Sequence, residues 1–173
     1  LAGWTRLSRH VYVYEYDPTP FNAELPWPMY GTHGRALPVY KEMGIQGFTH
    51  ECHESWATLF PNMYVAARMM WNAGQSYDAL MDDLYANFFG DAGPFMRTYY
   101  REMDDAMRQY SGNMEWGTAD YPQIFRPERI EQCRKALEAA EKAAQTPEVK
   151  ARVQVLSMGF VVLKCFQCSA GKS

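Results

Sequence analysis

The sequence predicts an α/β portion followed by an all-α portion, helical in the main, and three observations carry that expectation. Two short apolar segments, His10–Asp17 and Gly44–Glu51, each read as a buried strand with an acid at its C-terminal tip, where (β/α) barrels carry their chemistry. Proline breaks the chain directly after the first segment, and a short helical stretch leads into the second. From about Leu59 onward the apolar residues recur at helical spacing.

The stretch from Trp4 to His10 reads as the end of a helix feeding the first strand. In that strand Tyr12, Tyr14 and Tyr16 alternate with Val11, Val13 and Glu15, the pattern of a strand buried on both faces. Asp17-Pro-Thr-Pro ends it, because proline removes a backbone donor and biases its predecessor away from helix. A loop rich in proline and aromatics runs through Leu25-Pro-Trp-Pro-Met-Tyr30. At about 20 residues it is long for a strand-to-helix connection, and such loops in compact domains are usually functional.

Residues near Arg35 to Glu42 form the returning helix, and Gly44–Glu51 completes a right-handed parallel strand–crossover–strand unit. Gly47 lies within the second strand, where a missing side chain lets another group approach closely. After Ser55-Trp56 the period changes, and Tyr64, Ala67, Met70 and Trp71 share a helical face. Further helices are expected over Ser76–Phe89, Gly93–Tyr110, Pro127–Ala144 and Pro147–Cys168. Their starts carry local signals: Ser76 before Asp78, Gly93-Pro94, and Pro127 in a first turn, while Gly90 stops the second helix. The segment Ser111–Phe125 has neither period and reads as a loop. No repeat or low-complexity tract is present.

A chain of 173 residues that is 47% hydrophobic is long enough to bury one good core. A net charge of −3 and a pI near 5.8, with scattered Lys and Arg, provide no basic field, so no nucleic-acid partner is expected. No apolar run reaches the roughly 18–20 residues of a membrane span, and no membrane partner is expected either. Aromatic residues, at 15%, are concentrated in the first half of the chain. Such rings fill cores and also stack on the apolar faces of sugars and bases. The first residue is Leu, and no signal peptide precedes the first strand, which leaves export and localisation open. Two strands with open edges read as a piece of a longer sheet.

Glu51 is the sharpest candidate for chemistry. If Ile45, Gly47, Thr49 and Glu51 share a face, the small side chains beneath Glu51 leave space at the rim, where a carboxylate can accept from two hydroxyls or transfer a proton. The bland alternative is a strand-end glutamate paired with a base of the next loop. Glu15, Tyr16 and Asp17 occupy the equivalent tip of the first strand, and one of the two acids is expected to cap the following turn. Trp27 and Trp56 each follow a tip and offer flat apolar walls, although core packing is the default for tryptophan. His50-Glu-Cys-His53-Glu54 falls one residue short of the HExxH spacing and has no evident third ligand, so no metal is expected. His50, His53 and Glu54 read instead as hydrogen-bonding groups at the same tip.

Cys52, Cys133, Cys165 and Cys168 are too few and scattered for a disulfide framework. The lone CxxC at 165–168 lacks a second pair to complete a zinc site, and packing thiols are expected. No P-loop, GxGxxG or GxSxG is present, so no nucleotide cofactor is expected.

The order of these features resembles the DUF4838 family of bacterial proteins. The resemblance is carried by the Trp4 helix, the Glu15-Tyr16 tip, the Pro-Trp-Pro loop, Gly44-Ile-Gln-Gly-Phe-Thr-His-Glu51 and the Leu59 to Trp71-Asn72 helix. Tyr77-Asp78-Ala-Leu80, Asn87-Phe-Phe-Gly90 and Met96-Arg-Thr-Tyr-Tyr100 continue it, and it weakens after Tyr110, where the Arg152-Val153 helix still looks like the family's terminal region. That family is similar to family 20 hexosaminidases and α-glucuronidases. The resemblance implies the last two βα units of a (β/α)8 TIM-type barrel over residues 1–72 and a helical C-terminal region over 73–173. It further implies a glycoside hydrolase acting on carbohydrate, with the missing N-terminal barrel portion as partner. Glu51 then looks like a last-strand acid that grips sugar hydroxyls, with Trp27 and Trp56 as ring platforms and the bond-breaking acid pair upstream. The competing expectation is a non-catalytic helical scaffold or carbohydrate-binding module.

Overall fold

A computed structural model describes residues 1–16, 25–51, 56–112 and 117–170. Of the described residues 72% are helical and 6% lie in strands, so helix packing, not a sheet, builds the core. A short helix α1 (Ala2–Leu7), with no buried residue, leads to β1 (Tyr12–Tyr16); α2 (Tyr30–Glu42) then returns the chain to β2 (Gly47–Glu51). The strands pair in parallel, with Tyr12 opposite Gly47, Tyr14 opposite Thr49 and Tyr16 opposite Glu51. The expected strand–crossover–strand unit is therefore present. The sheet among the described residues has two strands, and the barrel implied by the family resemblance is not seen in them.

The reading of β1 as buried on both faces is corrected. Val13 is 9% exposed, but Tyr12 and Tyr14 are 63% and 59% exposed. Helix α2 covers the face bearing Val13, and no described element covers the tyrosine face. The close approach anticipated at Gly47 does occur: a β-carbon there would sit 2.3 Å from the Tyr12 ring. That ring occupies the space expected to lie open beneath Glu51.

Helix α2 starts at Tyr30, five residues before the expected Arg35, for a reason no local signal carries. Its N-cap residue Met29 makes no side-chain cap, so the first N–H groups need an acceptor from elsewhere. Asn62, fully buried in α3 (Trp56–Trp71), supplies it: its Oδ1 accepts from the backbone N–H of Met29 at 2.9 Å and of Tyr30 at 3.0 Å. Its Nδ2 donates to the Trp27 carbonyl at 2.7 Å.

The helical region follows its start signals closely. Ser76 caps α4 (Tyr77–Asp83) by accepting from the Ala79 N–H at 3.3 Å. A π-helical turn over Leu84–Phe88 and a 3-10 turn over Gly90–Ala92 join it to α5 (Gly93–Gln109), and Gly90 takes φ +47°, the left-handed conformation that suits glycine. In α5 the buried Met96, Tyr99, Tyr100, Met103 and Ala106 form one apolar stripe. That stripe packs on α7 (Pro127–Ala143), with Arg129 pairing to Glu102 at 2.8 Å beside it.

Helix α8 (Pro147–Ala170) lies against α7 and α3, and Arg152 donates to the Phe88 carbonyl at 2.7 Å while its guanidinium sits 4.4 Å from the Phe88 ring centre. The segment read as a loop contains a four-residue helix, α6 (Tyr121–Ile124), too short to show a period. Tyr121 and Phe125 are fully buried there, with the Tyr121 ring 6.0 Å from Phe166 on α8. Burial pushes the Cys133 thiol up to about 12, as befits a packing thiol. Cys165 is exposed, and Cys52 lies outside the described residues.

Candidate functional site at the strand tips

Paired residues of a parallel ladder share a face, so the register sorts the tip residues into two groups. Glu51, paired with Tyr16 in the ladder, belongs with Tyr12, Tyr14, Gly47 and Thr49 on the face that α2 leaves open. Glu15 and His50, also opposite each other, belong with Val13 and Phe48 on the face against α2. Glu15 and Glu51, at the tips of the two strands, therefore lie on opposite sides of the sheet.

The α2 side is an aromatic interface. The His50 ring lies 4.8 Å from that of His33, edge to face, and 6.2 Å from Phe48. His33 is 4% exposed, and Tyr40 stands 6.3 Å from Phe48. Burial, followed by the negative charge of Glu15, raises the Tyr40 phenol above its ordinary value, which places Glu15 near the Tyr40 side chain. Glu15 and His50 thus contribute to the seam between sheet and helix. Glu51, by contrast, is exposed on the open face.

The two tryptophans separate in the same way. Trp56, the first residue of α3, is 62% exposed and so available as a ring platform near the tip of β2. Trp27 is half-buried against the core, with its ring 6.3 Å from Tyr121. Its loop is clamped on both sides: Asn62 holds the Trp27 carbonyl, and the Tyr121 hydroxyl donates to the Pro26 carbonyl at 3.1 Å. Asp17, His53 and Glu54 lie outside the described residues. Among the described residues no three His, Cys, Asp or Glu side chains gather where a metal ion could sit. No described helix is long and apolar enough to cross a membrane.

Beside His50 an apolar hollow of about 490 Å³ is lined by Met63, Ala66, Ala67, Met70 and Trp71 of α3. Trp71 is 91% exposed at its edge. Sequence reasoning missed Asn62 entirely. A buried asparagine in an apolar helix face is a signal that a distant backbone needs a partner, but it does not say which one.

A parallel strand unit with an exposed acid at its tip, followed by a helical array, places the chain among proteins of mixed α/β and helical architecture. Residues 1–101 of the 173 match the domain of unknown function DUF4838, and the chain belongs to that family. No curated protein and no solved structure matches it.

Proposed function

We propose that this chain is the C-terminal part of a glycoside hydrolase-like protein, in which residues 1–72 complete a (β/α)8 TIM-type barrel and residues 73–173 form a helical region behind it. One observation supports this above the rest: at the C-terminal end of the parallel sheet Glu51 stands exposed, on the face that carries the exposed Tyr12 and Tyr14. In a barrel that face points inward, and its C-terminal end is where substrate binds. The exposed tyrosines of β1 and the apolar hollow beside β2 are surfaces the remaining staves would cover.

In this reading Glu51 accepts hydrogen bonds from two neighbouring sugar hydroxyls, and Trp56 offers its ring to the sugar's apolar face. Glycoside hydrolysis needs a second carboxyl group within about 5–9.5 Å. Glu15 lies on the other side of the sheet, and in this reading the general acid and its partner come from the rest of the barrel, as the family resemblance implies. Replacing Glu51 by Gln in the full-length protein removes a charge-assisted contact of about 1.5–3 kcal/mol, a loss of roughly tenfold to a hundredfold in kcat/KM, with melting behaviour unchanged. Unaltered hydrolysis and sugar binding in that variant would remove Glu51 from the site.

The helical core favours a second reading, a non-catalytic scaffold or carbohydrate-binding module, because it is assembled with little help from the sheet. Six upstream βα units and an acidic pair in the reading frame support the enzyme. A start codon just before Leu1 supports the module.

A further inference from the structure

A cleft of about 610 Å³ opens between α2, α4 and α5, and no residue of β1 or β2 lines it. Its size falls within the range of small-molecule sites, about 300–1,000 Å³. Of its lining residues four are Tyr, four Arg and four Asp, with Met81 the remaining one. Two glycines of α2 shape the wall. A β-carbon at Gly31 would collide with the Asp104 carboxylate, and one at Gly34 with the Tyr77 ring. The backbone of α2 thus lets both side chains press inward.

The charges balance, four positive against four negative, so the cleft holds no net field to attract an anion or a cation. Three of the arginines are committed to aspartates: Arg97 to Asp82 at 2.6 Å, Arg108 to Asp105 at 2.5 Å and Arg35 to Asp104 at 3.7 Å. The last separation is longer than the roughly 2.7–2.9 Å of a charge-assisted hydrogen bond, and Asp104 is only 15% exposed, so a mostly desolvated carboxylate retains acceptor capacity. Arg101 and Asp78 form no ion pair among the described residues. The buried Tyr100 hydroxyl also finds no hydrogen-bond partner among them.

Arginine donors and aspartate acceptors in equal number, tyrosine rings and zero net charge match a ligand whose groups each donate and accept. We infer that this cleft binds a neutral polyhydroxylated small molecule, a sugar or a polyol, with Arg101 and Asp78 at its rim contacting the hydroxyls. Its basis is the cleft's own composition, and it is independent of the strand-tip assignment.

The test is calorimetric titration of the whole chain with maltose, cellobiose, N,N′-diacetylchitobiose, sorbitol and glucose 6-phosphate. Saturable binding of at least one neutral probe is expected. Arg101→Ala and Asp78→Ala are each expected to weaken it by about tenfold, the worth of one hydrogen bond to a charged group, while circular-dichroism melting stays unchanged. Glu51→Gln acts at the strand tips alone, so it should leave intact the component of binding that the Arg101→Ala/Asp78→Ala double variant removes. Binding of the disaccharides alone identifies a ring-stacked sugar, and equal binding of sorbitol identifies a polyol; both support the proposal. The proposal is overturned if no neutral probe saturates, if glucose 6-phosphate binds tightest, if the Arg101→Ala/Asp78→Ala double variant binds every probe as the unaltered chain does, or if Glu51→Gln abolishes the component that the double variant removes.

Discussion

Asn62 satisfies three backbone groups that lie 32 to 35 residues away in sequence, two N–H groups at the start of α2 and the Trp27 carbonyl. Its side chain is fully buried, so its removal strands polar backbone with little access to water. Each stranded group costs about 1–3 kcal/mol, against at most a small gain from a better-packed apolar side chain. Asn62→Leu should therefore lower unfolding free energy by about 2 kcal/mol or more, read as a drop in urea midpoint at unchanged slope. A loss below about 0.5 kcal/mol would mean that water replaces the amide and that the clamp is dispensable. The same residue ties the backbone of Trp27 to α3, and the Trp27 ring is half-buried while that of Trp56 is exposed. From sequence the two looked alike, each following a strand tip. Trp27 is held by contacts with Asn62 and Tyr121, residues distant in sequence that no local pattern can reveal.

Among the elements, legibility follows the range of the interactions that define each one. Helices α4, α5 and α7 begin where Ser76, the Gly93-Pro94 pair and Pro127 say they should, because caps and first-turn prolines act within a turn. The start of α2 depends on α3, and α6 is held by burial of Tyr121 and Ile124, so both fall outside what periodicity can register. The connection between α4 and α5 shows two local rules in opposition. Gly93 adopts ordinary helical angles, φ −49° and ψ −49°, where alanine is intrinsically better by about 1 kcal/mol. Yet a β-carbon at Gly93 would lie 2.4 Å from the Tyr85 carbonyl oxygen, in the π-helical turn. Backbone cannot swing aside as a side chain can, and overpacking of this kind costs about 1–3 kcal/mol. The clash outweighs the propensity, so Gly93→Ala is expected to lower the melting temperature. A rise would show that the π turn relaxes to accept the methyl group.

At the scale of the whole molecule, the helices share one buried cluster that runs from Leu25 and Tyr30 through Phe89 and Met96 to Leu163. The sheet adds little to it. Val13 is its buried apolar side chain, and Tyr12 and Tyr14 of the same strand stand exposed beside an edge that no other described strand pairs. An alternating apolar strand looks the same in sequence whether one layer or two cover it, and for that reason the two-sided burial expected of β1 could not be distinguished from what the fold contains. The exposure has a consequence for the isolated chain. Apolar surface and unpaired strand backbone together form a template for association, since a second strand can add to the edge while rings bury one another. The isolated chain should therefore self-associate as concentration rises, with sedimentation or light scattering reporting a growing mean mass. Replacing Tyr12 by Lys removes a ring that is 63% exposed and puts a charge on the open face, so it should shift association to higher concentration. The same change removes the ring packed over Gly47, which makes the melting curve a necessary companion measurement. A wild-type chain that stays monomeric at high concentration and melts cooperatively would show that the open face is stable in water, and would count against the view that further barrel strands cover it.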